Sequence, residues 1–314
     1  MEKKLFLVIT IVASSFCPLI FSSIDDYFPI EKMSSASNYG ETGLLETPNA
    51  KFMPAASMRF NFSSSFPFEF TTLTASPFSW LEATYRYTEI KNQLYGPFAY
   101  SGNQSLKDKG FDLKVKLLNE RYYLPAVALG LRDIAGTGFF SSEYLVATKS
   151  LGNLDISTGL GFGVLGLDNN IKNPFIAISD HFGTSRTAYS GGGGEFSYGN
   201  WFSGPAALFG GVEYNLRKYK LKLIAEYDTS NPDANARIPS PVKSRFNFGL
   251  NYHLSNTFQI GLAYERGTNY RLSFSLRGDF FEDNIPKPPP KNIVSLNQDQ
   301  KNKNRLDSIW IKIA

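Results

Sequence analysis

The sequence predicts an all-β fold: an antiparallel outer-membrane β-barrel of about twelve strands, with long extracellular loops and short periplasmic turns. Three observations predict it. From Ser57 onward, apolar and polar residues alternate with period two, the mark of strands with one apolar and one polar face. The gaps between these segments alternate between long and short, as they do when loops gather at one end of a barrel and tight turns at the other. Finally, 27 Phe, 17 Tyr and 3 Trp among 314 residues, with 19% charged residues, demand a large ordered body. Mean hydropathy is only −0.21. The one long apolar run, Leu5 to Phe21, leaves no material for a bundle of membrane helices, each of which needs about 20 apolar residues.

Taken in chain order, Lys3 and Lys4 precede the apolar run from Leu5 to Ala13, the charge and length pattern of a signal peptide. Residues 1–22 are read as that signal, with Ser22 and Ser23 as small residues near a cleavage point; an uncleaved anchor is the alternative. Cys17 is the single cysteine, so no intramolecular disulfide and no Cys-based zinc site can form. Lipidation at Cys17 is a second option for this terminus, although such processing favours a small residue where Phe16 stands. Residues 23–56 carry no alternation and are expected as a periplasmic N-terminal segment ahead of a barrel over 57–280.

The alternation is plainest in Arg245-Phe246-Asn247-Phe248-Gly249-Leu250-Asn251-Tyr252-His253, with Phe, Phe, Leu and Tyr on one face. The expected strands are 57–65, 68–75, 79–90, 109–118, 123–132, 141–150, 153–164, 206–217, 220–228, 244–254, 257–267 and 270–280. Gaps after the third, fifth, seventh and ninth are about 18, 8, 41 and 15 residues, against about 2 to 4 after most even-numbered strands. Alternation alone also suits a soluble sandwich. Strand lengths of about nine to twelve residues, the loop asymmetry, and aromatics near strand ends (Phe66, Phe68, Tyr85, Tyr87, Tyr270 and Phe280) favour a membrane barrel. An even strand number places both termini in the periplasm. After Phe281 the run Pro286-Lys287-Pro288-Pro289-Pro290-Lys291 reads as a stiff linker, so 281–314 is a periplasmic tail.

The stretch Tyr39-Gly40-Glu41-Thr42-Gly43-Leu44-Leu45-Glu46-Thr47-Pro48-Asn49-Ala50 resembles the opening motif of the YjbH-like (GfcD-like) exopolysaccharide biosynthesis family. The likeness continues through Pro77 to Ala83, Arg86-Tyr87-Thr88, Lys107 to Asp112 and Tyr123 to Gly130, and is strongest over Asp133-Ile134-Ala135-Gly136-Thr137-Gly138-Phe139-Phe140-Ser141-Ser142-Glu143-Tyr144-Leu145-Val146. It covers residues 39 to about 167 in blocks and the remainder in pattern. The resemblance implies an outer-membrane barrel, usually a lipoprotein, that works with proteins making or exporting an extracellular polysaccharide. Members of that family are generally longer than this chain.

On the polar strand faces the sequence places Arg59, Glu82, Arg86, Asp112, Lys114, Lys116, Glu213, Lys222, Glu226, Arg245, Glu265, Arg271 and Arg277. Two arrangements satisfy such a set: a channel that guides a sugar chain, or a filled interior in which opposite charges pair, since buried charges need partners. Gly159, Gly161 and Gly163 either widen the lumen or permit a bend. The long loop carries Gly191 to Gly194 followed by Phe196, Tyr198, Trp201 and Phe202, suited either to stacking on sugar faces or to packing inward as a gate.

Chemistry beyond binding finds little support. The histidines are His181, beside Asp180, and His253; a hydrolase needs a histidine near a serine nucleophile with an orienting partner, but Ser255 lies too close to His253 on a turn to serve, and two adjacent residues, Asp180 and His181, are a weak sign of a protease or metal site. Gly136-Thr137-Gly138 lacks the setting of a phosphate loop. No catalysis, cofactor or metal is therefore expected. A net charge of +4, evenly scattered, argues against nucleic acid as a partner. The expected partners are outer-membrane lipid, polysaccharide and periplasmic or outer-membrane export proteins. Expected functions, in order, are biosynthesis, export or assembly of an extracellular polysaccharide; a general porin-like diffusion channel; and a barrel hydrolase.

Overall fold

Each polar-apolar alternating segment forms a strand, and the twelve strands close on themselves in the computed structural model, which describes residues 34–186, 196, 198–231 and 240–280. They are β1 (Ser57–Ser65), β2 (Phe68–Phe78), β3 (Leu81–Leu94), β4 (Ser105–Leu118), β5 (Ala126–Arg132) and β6 (Ser142–Leu151). The circle continues with β7 (Leu154–Phe162), β8 (Ala206–Leu216), β9 (Leu221–Tyr227), β10 (Phe246–His253), β11 (Phe258–Glu265) and β12 (Asn269–Asp279). Every strand pairs antiparallel with its neighbours in sequence, and β1 closes on β12 with Ser57 opposite Asp279 and Ser65 opposite Arg271. Closure leaves no sheet edge with unpaired backbone groups.

The alternation resolves into an interior that is polar and an exterior that is apolar. Phe60, Leu73, Phe111, Leu208, Leu262 and Leu272 are exposed on the outside, while Arg59, Arg86, Lys114 and Glu213 are almost completely buried within. This inverts the pattern of a water-soluble domain. Outward rings pair across strands, as Phe62 and Phe274 do with centroids 5.4 Å apart.

The connections 95–104, 133–141, 163–205 and 228–245 lie at one end, here the loop end, with the short links 66–67 and 266–268. Links 79–80, 119–125, 152–153, 217–220 and 254–257 form the turn end. The first long gap is shorter than expected because β3 and β4 extend each other, Glu89 facing Lys107 and Ile90 facing Leu106, up to a bulge; a one-turn helix, α1 (Phe98–Ser101), caps this ribbon. Conversely, β5 starts later than expected, after Pro125, which has no N–H to give to the ladder.

The largest departure from expectation concerns the N-terminal segment. Residues 34–53 are not a periplasmic extension outside the barrel: they occupy the lumen, and every residue from Ser35 to Ala50 is buried. The segment folds as an irregular hairpin, joined by Asn38 N to Leu45 O at 2.7 Å and Leu44 N to Thr47 O at 2.8 Å. It leaves by the turn end, where Ser57 begins β1. The expected signal peptide at 1–22 with Cys17, the glycine run 191–194 and the tail 281–314 lie outside the described residues.

Candidate functional site

The hairpin stays in the lumen because strand side chains supply the partners its backbone lacks. On β9, Glu226 accepts from Leu45 N (3.0 Å), Glu46 N (2.9 Å), Thr47 N (3.2 Å) and Thr47 Oγ1 (2.8 Å), and takes a further bond from Asn247. On β3, Glu82 accepts from Thr42 N at 3.0 Å, Thr42 Oγ1 at 2.6 Å and Met53 N at 2.8 Å. Arg59 donates to Gly40 O, Lys114 to Thr42 O and Lys51 O, and Thr148 Oγ1 receives Ala50 N. Asn49 donates to Glu213, which also holds Lys222 at 2.8 Å.

At the apex, Glu41 meets Arg132 through both Nε (2.9 Å) and Nη2 (2.6 Å), and also takes the Tyr144 hydroxyl. The Arg132 guanidinium lies 3.8 Å from the Tyr39 ring centroid, a cation–π contact closed off from solvent. Arg86 sits above the Phe140 ring, surrounded by Asp108 (3.2 Å), Asp112 (3.5 Å) and Asp133 (3.6 Å). Just after β11, Arg266 pairs with Glu46, and Asn38 bridges Glu46 to Glu265.

Two carboxyls of the loop end feel this crowding. Asp133 is pushed up to about 7 by burial, against the pull of Arg86 and with Asp108 and Asp112 adding to the rise. Asp228, buried beside Glu46 and Glu226, is pushed up to about 8. Burial, followed by the nearby Glu46, also pushes the Tyr39 hydroxyl up, so it remains a neutral phenol.

The polar set expected from sequence is therefore brought together around the hairpin, not around an open channel. Arg59, Glu82, Lys114, Glu213 and Glu226 hold it directly; Arg271 donates to Ala36 O, and Glu265 holds Asn38. Asp112 serves Arg86, and Arg277 pairs with Asp279 at the turn end. Arg245 is a correction: it lies in the connection ahead of β10, half-buried, where it pairs with Asp168 and donates to Ser230 O. The glycines do not widen the lumen either. A Cβ on Gly159 would lie 2.3 Å from Phe209, and one on Gly161 2.6 Å from Leu165, so these positions admit neighbouring side chains. The sequence reading missed Arg132, Arg266, Asp108, Asp133 and Tyr144. Arg132 was within reach, since it continues the polar face of Ala128 and Gly130.

In the long loop, Phe196 and Tyr198 are exposed and stacked at 5.7 Å, with Trp201 edge-on to Tyr198 at 5.2 Å. Phe202 parts from them and packs on Phe162 and Phe175. Asn173 pins this fold by donating to the carbonyls of Phe182, Phe202 and Gly204. His181 is exposed at the loop end and His253 is buried near the turn end, so the two histidines share no site. Among the described residues, no group of three His, Cys, Asp or Glu side chains could hold a metal ion.

Below the hairpin, at the turn end, a vestibule of about 530 Å³ opens outward. Its floor is the hairpin's return arm, Ala50, Phe52, Met53 and Pro54. Its walls include Lys116, Asn119, Asp155, Asn215 and Lys222. Lys114 and Lys116 stand 4.5 and 4.8 Å from the Phe52 ring centroid, and Lys51 pairs with Asp155.

Residues 35–311 match the family model described as "Exopolysaccharide biosynthesis protein YbjH". The chain is 39% identical over 254 residues to the "Uncharacterized lipoprotein YjbH" of Escherichia coli (strain K12). The match takes in 81% of this chain and 36% of that relative, so the chain spans about a third of the relative's length. Among solved structures it is similar to the NanC porin at 10% identity, covering 71% of this chain and 99% of that one, with a TM-score of 0.35. It is also similar to a mutant Rh. blastica porin at 7% identity, covering 82% of this chain and 71% of that one, with a TM-score of 0.30.

Proposed function

The chain belongs to the YjbH exopolysaccharide biosynthesis family, and on that premise we propose that it is an outer-membrane barrel serving the export or assembly of an extracellular polysaccharide. The observation that carries the reading is the pairing of this family membership with a closed barrel that is apolar outside and charged within. An outer surface with exposed Phe, Leu and Tyr on most of its strands is stable only in a lipid phase. That the E. coli relative is named a lipoprotein supports the same location. Both termini would then lie in the periplasm, where export proteins are available as partners.

The filled lumen sets this reading apart from a diffusion porin, because the hairpin occupies the space through which solutes would pass. A hydrolase finds no support in two histidines at opposite ends of the barrel. The role proposed is therefore non-enzymatic. The test is the amount and sugar composition of extracellular polysaccharide in a strain lacking the gene, beside the parent and a complemented strain. A loss restored by complementation is expected. Unchanged polysaccharide together with reduced uptake of small solutes would replace this reading with the porin.

A further inference from the structure

We propose that the outward face of the β3–β4 ribbon, at the loop end, binds the phosphate of an outer-leaflet lipid through Lys107 and Lys109. The inference goes beyond a role in polysaccharide export. It rests only on the outer-membrane location proposed above, with both termini in the periplasm, which puts the loop end at the outer leaflet.

The distribution of charge on the lipid-facing surface carries the argument. On the outward faces of the twelve strands the charged residues are Glu69, Glu89, Lys91, Lys107, Lys109 and Lys149. Lys149 stands at the turn end of β6, paired with Glu120 at 3.0 Å. The other five gather at the loop end of three adjacent strands, where Glu69 lies opposite Glu89 and Glu89 opposite Lys107. Three lysines thus meet two carboxylates, and both carboxylates are engaged: Glu69 by Lys91 and the Ser64 hydroxyl, Glu89 by the Ser105 hydroxyl. Among the described residues, no carboxylate pairs with Lys107 or Lys109. Asp108, between them in sequence, faces inward and serves Arg86. An unpaired ammonium on a lipid-facing strand is destabilising in hydrocarbon and tolerated at headgroup level, so these two lysines mark the height of the outer headgroups.

Two residues apart on one face of β4, Lys107 and Lys109 are separated by about 7 Å along the strand. Both flexible side chains can bring their ammonium groups to one phosphate across that spacing. Tyr87, opposite Lys109 in the ladder, brings a phenol hydroxyl to the same outward face. Toward the middle of the barrel this face turns apolar: Tyr85 and Phe111, opposite each other, are exposed with ring centroids 5.3 Å apart, and Leu73 lies opposite Tyr85 on the other side. A free anion gains nothing from that surface, whereas a lipid lays its acyl chains on it while its phosphate meets the lysines. A zwitterionic headgroup would bring its own ammonium against Lys107 and Lys109. The chemistry therefore selects a lipid whose headgroup carries phosphate without a compensating cation.

The test uses the purified full chain in detergent micelles and native mass spectrometry with three added lipids: lipid A bearing two phosphates, the same lipid A with both phosphates removed, and phosphatidylethanolamine. The first two share sugars and acyl chains, so a difference between them reports phosphate alone. One bisphosphorylated lipid A per chain should bind, and the other two lipids should bind about tenfold more weakly or less. Changing Lys107→Gln and Lys109→Gln together should weaken lipid A about tenfold or more, Lys107→Arg with Lys109→Arg should retain it, and Lys149→Gln should leave it unchanged. All are outward positions, and heat-modifiable electrophoretic mobility confirms that each barrel is closed. Equal binding of the three lipids overturns the site, as does undiminished binding by the double Gln variant. Release of lipid A by an equal concentration of inorganic phosphate would make this a phosphate site and remove the lipid. The location has its own readout, since parent and double variant should both fractionate with the outer membrane. A chain found in that fraction that refuses lipid A defeats the site alone, and a chain missing from it defeats the location beneath the site.

Discussion

Glu226 shows how much one side chain can settle. Its carboxylate receives three consecutive backbone N–H groups, those of Leu45, Glu46 and Thr47, in a segment with no ladder of its own. Replacing it by Ala leaves these donors buried without a partner, at about 1–3 kcal/mol each. Glu226→Ala should therefore lower barrel stability by at least about 3 kcal/mol, read from urea unfolding in lipid vesicles. Glu226→Gln, which keeps one acceptor oxygen and loses the charge, should cost less than half as much. Equal effects of the two variants would mean that charge, not backbone satisfaction, is what holds the hairpin. The sequence placed Glu226 on the polar face of its strand because alternation reports orientation. It could not report the partner, 179 to 181 residues away, because nothing local encodes a bond between a strand carboxylate and a distant irregular segment.

The strands and the hairpin differ in legibility for the same physical reason. A strand buried on one face must repeat with period two, and so β1, β6 and β10 to β12 were readable nearly to their ends. Residues 35–53 satisfy their backbone with side chains of β1, β3, β4, β6 and β9, and no periodicity follows from that. Glycines mark the fit from the other side: a Cβ on Gly211 would lie 2.7 Å from Leu44, and one on Gly249 would lie 2.7 Å from Leu45. The hairpin is thus packed into the wall, not loosely threaded through it. In a planar lipid bilayer the full chain should show no stable ion-conductance steps, and a chain lacking residues 36–52 should show them. Porin-like steps from the intact chain would mean that the hairpin leaves the lumen spontaneously. Silent, folded barrels of the shortened chain would mean that something else closes it.

The inversion of polarity, apolar outside and charged within, gives the whole molecule a belt suited to lipid, and the unequal ends give it a direction. Composition could exclude helices and alternation could count strands, but neither distinguishes a lipid-facing surface from a shared core; the closure of β1 on β12 does. The proposed direction follows from the connections. Barrel strands cross the outer membrane from the periplasmic side, so short turns remain behind and long loops emerge outside the cell. The loop end carries the 163–205 connection and the exposed α1 ribbon, while the turn end carries the vestibule and the point where the hairpin joins β1. Cys17 is the only native cysteine and is removed as Cys17→Ser, so introduced thiols report alone. Asn103→Cys and Gly192→Cys should react with a membrane-impermeant maleimide on intact cells, and Asn256→Cys, in the turn between β10 and β11, should react only after the outer membrane is opened. Labelling at residue 256 on intact cells, with 103 and 192 silent, would reverse the barrel and turn the vestibule toward the cell exterior.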